Sequence, residues 1–426
     1  MQKKTDWYTH DRFGLFIHWG IYAIPGRGEW VRYYEDLSNE DYEPFFKEFN
    51  PTEYDPVIWA KAAKNAGMKY AVMTTKHHDG FCLFDSKYTD FKSTNTPCGR
   101  DLIKEYTDAF RNEGIKIGFY YSLLDWHHPG FPHYGDDSHP MRKNEAFKDI
   151  THDFDSYLTY MHNQVEELCT NYGKIDIFWF DYSYGHMAGE TWKATELVRM
   201  VRKYHPDVLF DNRLTKKTSI LSENPEEYSG DFYSPELTIP YDPYGVRNEK
   251  GEPIPWETCT TINNSWSYTQ DKSFKSASYI IKKLVECVSK GGNLLLNVGP
   301  DAKGNFPEEA LKTLEGVGRW MKKNGKSIYG CGYSEMEKPD FGRITKSKCG
   351  RYLYYHIMEN PLGAIPIAGV KKEQIKKMRL ISDGTEIKIS DAWVTQFYPE
   401  LALITLGTGY LLPDETDTVI EVELCE

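Results

Sequence analysis

Five short apolar runs in this 426-residue sequence end in residues able to do chemistry together. The run at 13–18 ends in His18-Trp19-Gly20, and the run at 70–75 leads into Lys76-His77-His78-Asp79. The run at 116–121 ends in Tyr120-Tyr121-Ser122, with Asp125-Trp126-His127-His128 just beyond. The run at 175–180 delivers Trp179-Phe180-Asp181, and the run at 208–211 delivers Asp211-Asn212-Arg213. Each residue alone has an ordinary explanation. A strand-end His hydrogen-bonds to backbone, and Asp181 could cap the next helix. Five such termini together describe a polar pocket with aromatic walls. Sugars suit such a pocket, because their apolar C–H faces stack on aromatic rings while Tyr and Trp edges meet hydroxyls. Aromatic residues reach 15%, with 31 Tyr and 11 Trp, which agrees with that reading as well as with large aromatic cores.

Cleavage of a glycosidic bond needs two carboxyl groups flanking it, held roughly 5–5.5 Å apart for retention and farther apart for inversion. Asp181 suits the ionised partner, since it ends a buried run beside hydrogen-bonding groups. For the proton donor, Glu236, Glu257 and Glu29 all remain open on the residues alone. His18, His77, His78, Asp79 and Asp181 also invite a metal-dependent hydrolase. No HxH or HExxH spacing supports it, and the neighbours are aromatic rather than acidic. A sugar-binding protein without turnover is a further alternative, disfavoured because a nucleophile and an acid are both present.

These residues need a scaffold that brings strand ends to one rim. Between about 13 and 324 apolar runs alternate with helical stretches, predicted at 55–66, 101–112, 145–171, 273–289 and 307–323. Further runs at 257–262 and 294–298 make seven strands, and an eighth is sought near 231–234. Alternating βα units imply α/β architecture with a parallel sheet, best accommodated as a (β/α)8-like barrel whose site lies at the C-terminal strand ends. An open doubly wound sheet is the alternative, weakened because no phosphate-binding glycine motif follows the first strand. Beyond about 334 the runs at 352–357, 378–381, 386–389, 393–397, 401–405 and 418–424 are short. Turn signals such as Asn360-Pro361, Asp383-Gly384 and Gly407-Thr408-Gly409 separate them. That texture predicts a C-terminal antiparallel β-sandwich. The division is then a catalytic barrel over 1–333 and a sandwich over 334–426.

The net charge of −12 excludes a basic footprint for nucleic acid or anionic membranes. No apolar run approaches ~20 residues, so no membrane insertion is expected. The eight scattered Cys form no CxxC pair, and the polar start has no apolar core, so a cytoplasmic location is expected. A homo-oligomer is left open.

The sequence resembles the family 29 glycoside hydrolases, the α-L-fucosidases, in order from Trp7 to about Tyr333. The resemblance rests on Gly14-Leu15-Phe16-Ile17-His18-Trp19-Gly20, Glu29-Trp30, Thr74-Thr75-Lys76-His77-His78-Asp79-Gly80-Phe81 and Tyr120-Tyr121-Ser122-Leu123-Leu124-Asp125-Trp126. It continues through Trp179-Phe180-Asp181, Gly230-Asp231-Phe232-Tyr233-Ser234-Pro235-Glu236, Trp256-Glu257-Thr258-Cys259, Ser265-Trp266 and Leu294-Leu295-Leu296-Asn297-Val298-Gly299-Pro300. The resemblance implies a barrel followed by a β-sandwich, hydrolysis of terminal α-L-fucosyl linkages of fucosylated glycans with retention, and no metal or organic cofactor. It implies Asp181 as nucleophile. It implies His18, Glu29, His77, His78 and Tyr121 as partners of the sugar hydroxyls, Trp30 as a pocket wall and Arg213 near the reacting centre. The Ser-Pro-Glu segment resembles that of the broader-specificity subgroup, which selects Glu236 as acid/base and leaves Glu257 as a strand residue orienting its neighbours. The methyl group of fucose needs an apolar wall, for which Trp30, Trp179 and Trp266 are the candidates on chemical grounds. Where the family usually has Ser-Trp-Gly-Tyr, this chain has Ser265-Trp266-Ser267-Tyr268.

Overall fold

The computed structural model describes residues 3–216, 218–360, 362–406 and 411–425. The seven expected runs are strands: β1 (Phe13–Ile17), β2 (Tyr70–Lys76), β3 (Lys116–Ser122), β4 (Ile177–Asp181), β5 (Leu209–Phe210), β6 (Glu257–Thr261) and β7 (Asn293–Val298). All pair in parallel in the order β5-β4-β3-β2-β1-β7-β6. Nearly every residue of these strands is buried, whichever face it points to. That is why they read as continuous apolar runs: one face packs on helices and the other on an interior.

The helices start where a side chain can take the first free N–H groups. Asp55 caps Pro56–Asn65, Asp101 caps Leu102–Asn112, and Ser276 caps Ala277–Ser289. Helices Asn39–Glu48 and Ala194–Tyr204 add to those expected. The helix expected over 145–171 is shorter. A single 3-10 turn spans Glu145–Phe147, and the helix proper is Phe154–Asn171. Asp153 takes the N–H of Ser156, while His152 Nδ1 bonds the carbonyl of Pro129 at 3.0 Å and holds the chain ahead of it as a loop.

The parallel sheet curls on itself. Tyr70 of β2 hydrogen-bonds Glu257 of β6, although two strands lie between them. Phe16 of β1 meets Trp179 of β4 with ring centroids 5.2 Å apart. These residues, with Tyr8, Val72, Tyr120, Ile177, Phe232 and Leu295, form an interior core distinct from the one beneath the helices. Between the edge strands β5 and β6 runs the segment 231–237. Asp231 N donates to Phe210 O at 2.7 Å on one side, and Glu257 N donates to Tyr233 O at 2.9 Å on the other.

The C-terminal part is antiparallel, as expected. Strands β8 (Cys331–Gly332), β9 (Gly342–Ser347), β10 (Tyr352–Ile357), β12 (Ile375–Leu380) and β14 (Thr418–Leu424) form one sheet, ordered β12-β14-β10-β9-β8. The short pair β11 (Ile365–Pro366) and β13 (Leu403–Ile404) forms a second. Leu353, Tyr355, Ile357, Met378, Ile420 and Val422 build a core of their own. Residues 386–389 pair only through isolated bridges, and Trp393–Phe397 is a 3-10 turn rather than a strand. There Ser390 Oγ accepts from Ala392 N and Thr395 Oγ1 donates to Ala392 O, local bonds that compete with a ladder. The Gly407-Thr408-Gly409 signal and Pro361 lie outside the described residues.

Gly14 is set by the interior packing. A Cβ there would lie 2.3 Å from Cε2 of Tyr70, whose hydroxyl is anchored on Glu257. Gly14→Ala is expected to cost about 1–3 kcal/mol by overpacking, read from the urea midpoint at unchanged slope. A midpoint equal to that of the parent would mean the interior is not packed this way.

Candidate active site

A cavity of about 220 Å³ opens at the C-terminal ends of the parallel strands. It is smaller than the ~300–1,000 Å³ usual for drug-sized ligands, which suits one sugar ring rather than an extended chain. His18, Glu29, Trp30, His77, His78, Trp179, Asp181, Arg213, Glu236 and Trp266 all line it. The strand β2 ends at Lys76 after a register shift, so His77 and His78 lie beyond the pleat and both reach the cavity.

Tyr121 does not. It alternates to the outer face of β3, where its hydroxyl donates to Gln164 Oε1 at 2.7 Å and its ring lies 4.7 Å from Lys76 Nζ. The inward neighbour is Tyr120, which pairs across to Trp179 and donates to Asp181 Oδ2 at 2.8 Å. In a Tyr-Tyr pair at a strand end, the face is fixed by the register with β4. Trp179 and Asp181, two residues apart, share the inner face, and Tyr120 is in phase with them. Phe16 and Tyr182 also line the cavity without having been singled out by the sequence.

The three carboxyl candidates separate clearly. Asp181 Oδ1 accepts from Arg213 Nη1 at 2.8 Å, and the same nitrogen donates to Glu236 Oε2 at 3.0 Å. The nearest oxygens of the two carboxylates are thus no farther apart than these two bonds end to end. The Asp181 side chain keeps 14% of its exposure and that of Glu236 keeps 36%, so the latter stands at the solvent side of the pair. Burial opposes the charge of Arg213, but Asp181 and Glu236 more than compensate and hold its pKa above the ordinary value. Glu257 lies in the interior, bonded to Tyr70, and does not line the cavity. Glu29 is buried, which raises its pKa, and its Oε2 accepts from the backbone N of Ser267 at 3.0 Å. The exchange at position 267 therefore keeps the backbone contact that fixes Glu29.

Two histidines present defined edges. The Ser122 hydroxyl donates to Leu124 O, so it accepts from His78 Nδ1 at 2.7 Å. His18 Nδ1 bonds Asn297 Oδ1 at 2.7 Å, and Asn297 Nδ2 donates to Trp266 O. With Nδ1 protonated in each, Nε2 is left as an acceptor for a hydroxyl. Burial pushes the His18 pKa down to about 4, and it lowers His77 and His78 well below their ordinary value. Among the described residues no group of three or more His, Cys, Asp or Glu side chains is arranged to hold a metal ion.

A curled parallel sheet, a sugar-sized aromatic cavity and two carboxylates at close range define a glycoside hydrolase. The family model for α-L-fucosidase matches residues 1–326, and the chain belongs to that family. Tissue α-L-fucosidase of Mus musculus is 30% identical over 98% of this chain and 89% of its own. The solved α-L-fucosidase isoenzyme 1 from Paenibacillus thiaminolyticus is 56% identical, with a TM-score of 0.96 over 99% of both chains. A family 29 α-L-fucosidase from Bacteroides thetaiotaomicron, solved as a trapped covalent intermediate, is 29% identical, with a TM-score of 0.84 over 100% of this chain and 97% of that one.

Two outcomes are expected. Tyr120→Phe removes a donor to Asp181 and should lower kcat about tenfold or more, whereas Tyr121→Phe should leave kcat near that of the parent and cost only about 1–2 kcal/mol of stability. Steady-state kinetics that reverse this order would return Tyr121 to the site. The second concerns pH. A free His protonates near 6.5 but buried His18 only near 4, so between these values the unfolded chain binds the extra proton. Stability should be intact at pH 7, fall as pH drops through 6.5, and level off below about 4, with His18 contributing roughly 3 kcal/mol. His18→Gln should flatten that acid slope in melting curves, and an unchanged slope would count against a buried neutral ring.

Proposed function

We propose that Asp181 is the nucleophile and Glu236 the acid/base of this enzyme. It is an α-L-fucosidase that hydrolyses terminal α-L-fucosyl residues with retention, through a covalent fucosyl-enzyme intermediate. The observation that supports the assignment is the shared Arg213 Nη1, which ties both carboxyl groups to one cation in the cavity with Glu236 nearer to solvent. His18, His77, His78 and Glu29 would take the sugar hydroxyls, and Trp30, Trp179 and Trp266 would supply the wall for its methyl group. Asp181 attacks the anomeric carbon as Glu236 protonates the departing glycosidic oxygen. Glu236, now a carboxylate, removes a proton from the water that cleaves the fucosyl ester and restores Asp181. No cofactor enters these steps.

We read 231–237 as the eighth stave of a (β/α)8-like barrel over 1–333, because it hydrogen-bonds to both edge strands. The C-terminal sheets over 334–426 read as a β-sandwich. All eight cysteines are free, which supports a reducing, cytoplasmic setting. No helix among the described residues is long and apolar enough to cross a membrane.

Asp181→Gly should lower turnover of an aryl α-L-fucoside by about 10³-fold or more while the fold persists. Added azide should restore turnover with release of β-fucosyl azide, formed in the space vacated by the carboxylate. Glu236→Ala should instead yield the α-azide. A parent-like rate in Asp181→Gly would sink the assignment.

A further inference from the structure

Glu257 is a buried carboxyl that the reaction leaves unused. It opens β6 and pairs with Asn293 at the start of β7, at the end of the barrel interior opposite the cavity. It does not line the cavity and no cation among the described residues acts on it, so it stands away from the substrate and burial is costly unless hydrogen bonds compensate.

Tyr70 Oη donates to Oε2, and is itself held by Asn293 Nδ2 at 3.3 Å, which also donates to Tyr8 O at 2.9 Å. In the same interior the Trp179 indole nitrogen, the Tyr8 hydroxyl and Glu257 Oε1 are buried, and none of the three has a hydrogen-bond partner among the described residues, which leaves two donors and one acceptor over. Burial pushes the Glu257 pKa up to about 7, and the Tyr70, Tyr8 and Trp179 hydrogens work against that rise.

Trp179 is the next link upward. The Arg213 guanidinium lies 4.4 Å from the centre of its ring, and the Tyr120 ring stacks on it at 5.7 Å with 22° between planes. Among the described residues, Arg213 and Tyr120 donate to the Asp181 carboxylate, at 2.8 Å each. A swing of the indole would therefore displace both donors, and with Arg213 the spacing between Asp181 and Glu236.

We infer that Glu257 is a positioning residue for fucosyl transfer: it anchors the Trp179 N–H from the barrel interior, and the indole so held sets the two donors to the nucleophile. The inference rests on the roles proposed above for Asp181 and Glu236. Glu257 touches neither substrate nor reacting atoms and acts only through Trp179.

The test uses the full-length enzyme and 4-nitrophenyl α-L-fucoside. Trp179→Phe keeps an aromatic ring but removes the N–H, and Glu257→Gln leaves one acceptor oxygen for several donors. Each should lower kcat about tenfold, and in Glu257→Gln, which leaves the Trp179 wall in place, KM should stay within about twofold, since the defect lies in alignment rather than in binding. The double variant should lose no more than the worse single variant, because both changes break one link. Parent-like kcat in Trp179→Phe would overturn the inference, as would losses that multiply in the double variant. Should Glu257→Gln fail to fold, Trp179→Phe decides alone, with its melting temperature as the control. An inactive, azide-rescued Asp181→Gly beside a fully active Trp179→Phe would remove the Glu257 link alone. An active Asp181→Gly would remove the catalytic assignment itself.

Discussion

A single guanidinium nitrogen bonded to two carboxylates is the constraint on which the site depends. Arg213 Nη1 donates to both Asp181 and Glu236 and so fixes the two carboxyl groups against one cation. The cost is a cation with little exposure of its own, met by two carboxylates, the Ser234 hydroxyl and the face of Trp179. Asn212, beside Arg213 in sequence, fixes Ser234 by accepting from its backbone and its hydroxyl, each at 2.9 Å. The loop that carries Glu236 is thereby tied to the strand end that carries the arginine.

The buried histidines of the cavity carry no charge by contrast. His18 and His78 are neutral because burial makes a second cation expensive, and their Nδ1 protons are committed to Asn297 and Ser122. Arg213 therefore stands as the cation at the reacting centre among residues that otherwise read hydroxyls and apolar faces. A neutral imidazole that accepts a hydroxyl hydrogen positions sugar without competing for the nucleophile.

Beneath the cavity the interior interleaves aromatic rings, from Phe16 and Trp179 down to Tyr70 and Tyr8, with Val72, Ile177, Leu209 and Leu295. Such packing transmits position because it is dense and leaves the rings little room to turn. Gly14 shows how tight the fit is, since no Cβ can be placed against Tyr70. The fold thus links a buried floor to a reactive rim through few moving parts.

The order and identity of the parallel strands were legible from apolar runs, because strands buried on both faces cannot be written otherwise. The rim residues were legible too, since parallel strands deliver their C-terminal neighbours to one end. Asp181 followed from that rule and from its Trp-Phe-Asp setting. Three things needed the tertiary structure. The choice of Tyr120 over Tyr121 depends on inter-strand register, and adjacent identical residues carry no sign of which faces inward. That Glu236 lines the cavity and Glu257 lies in the interior depends on depth along the curled sheet, which a sequence of carboxylates does not encode. The extent of the helix after residue 145 and the turn at Trp393–Phe397 depend on local side-chain bonds that compete with periodicity. Composition and order determined which residues reach the site's neighbourhood. Register and depth, which only packing fixes, decided what each of them touches.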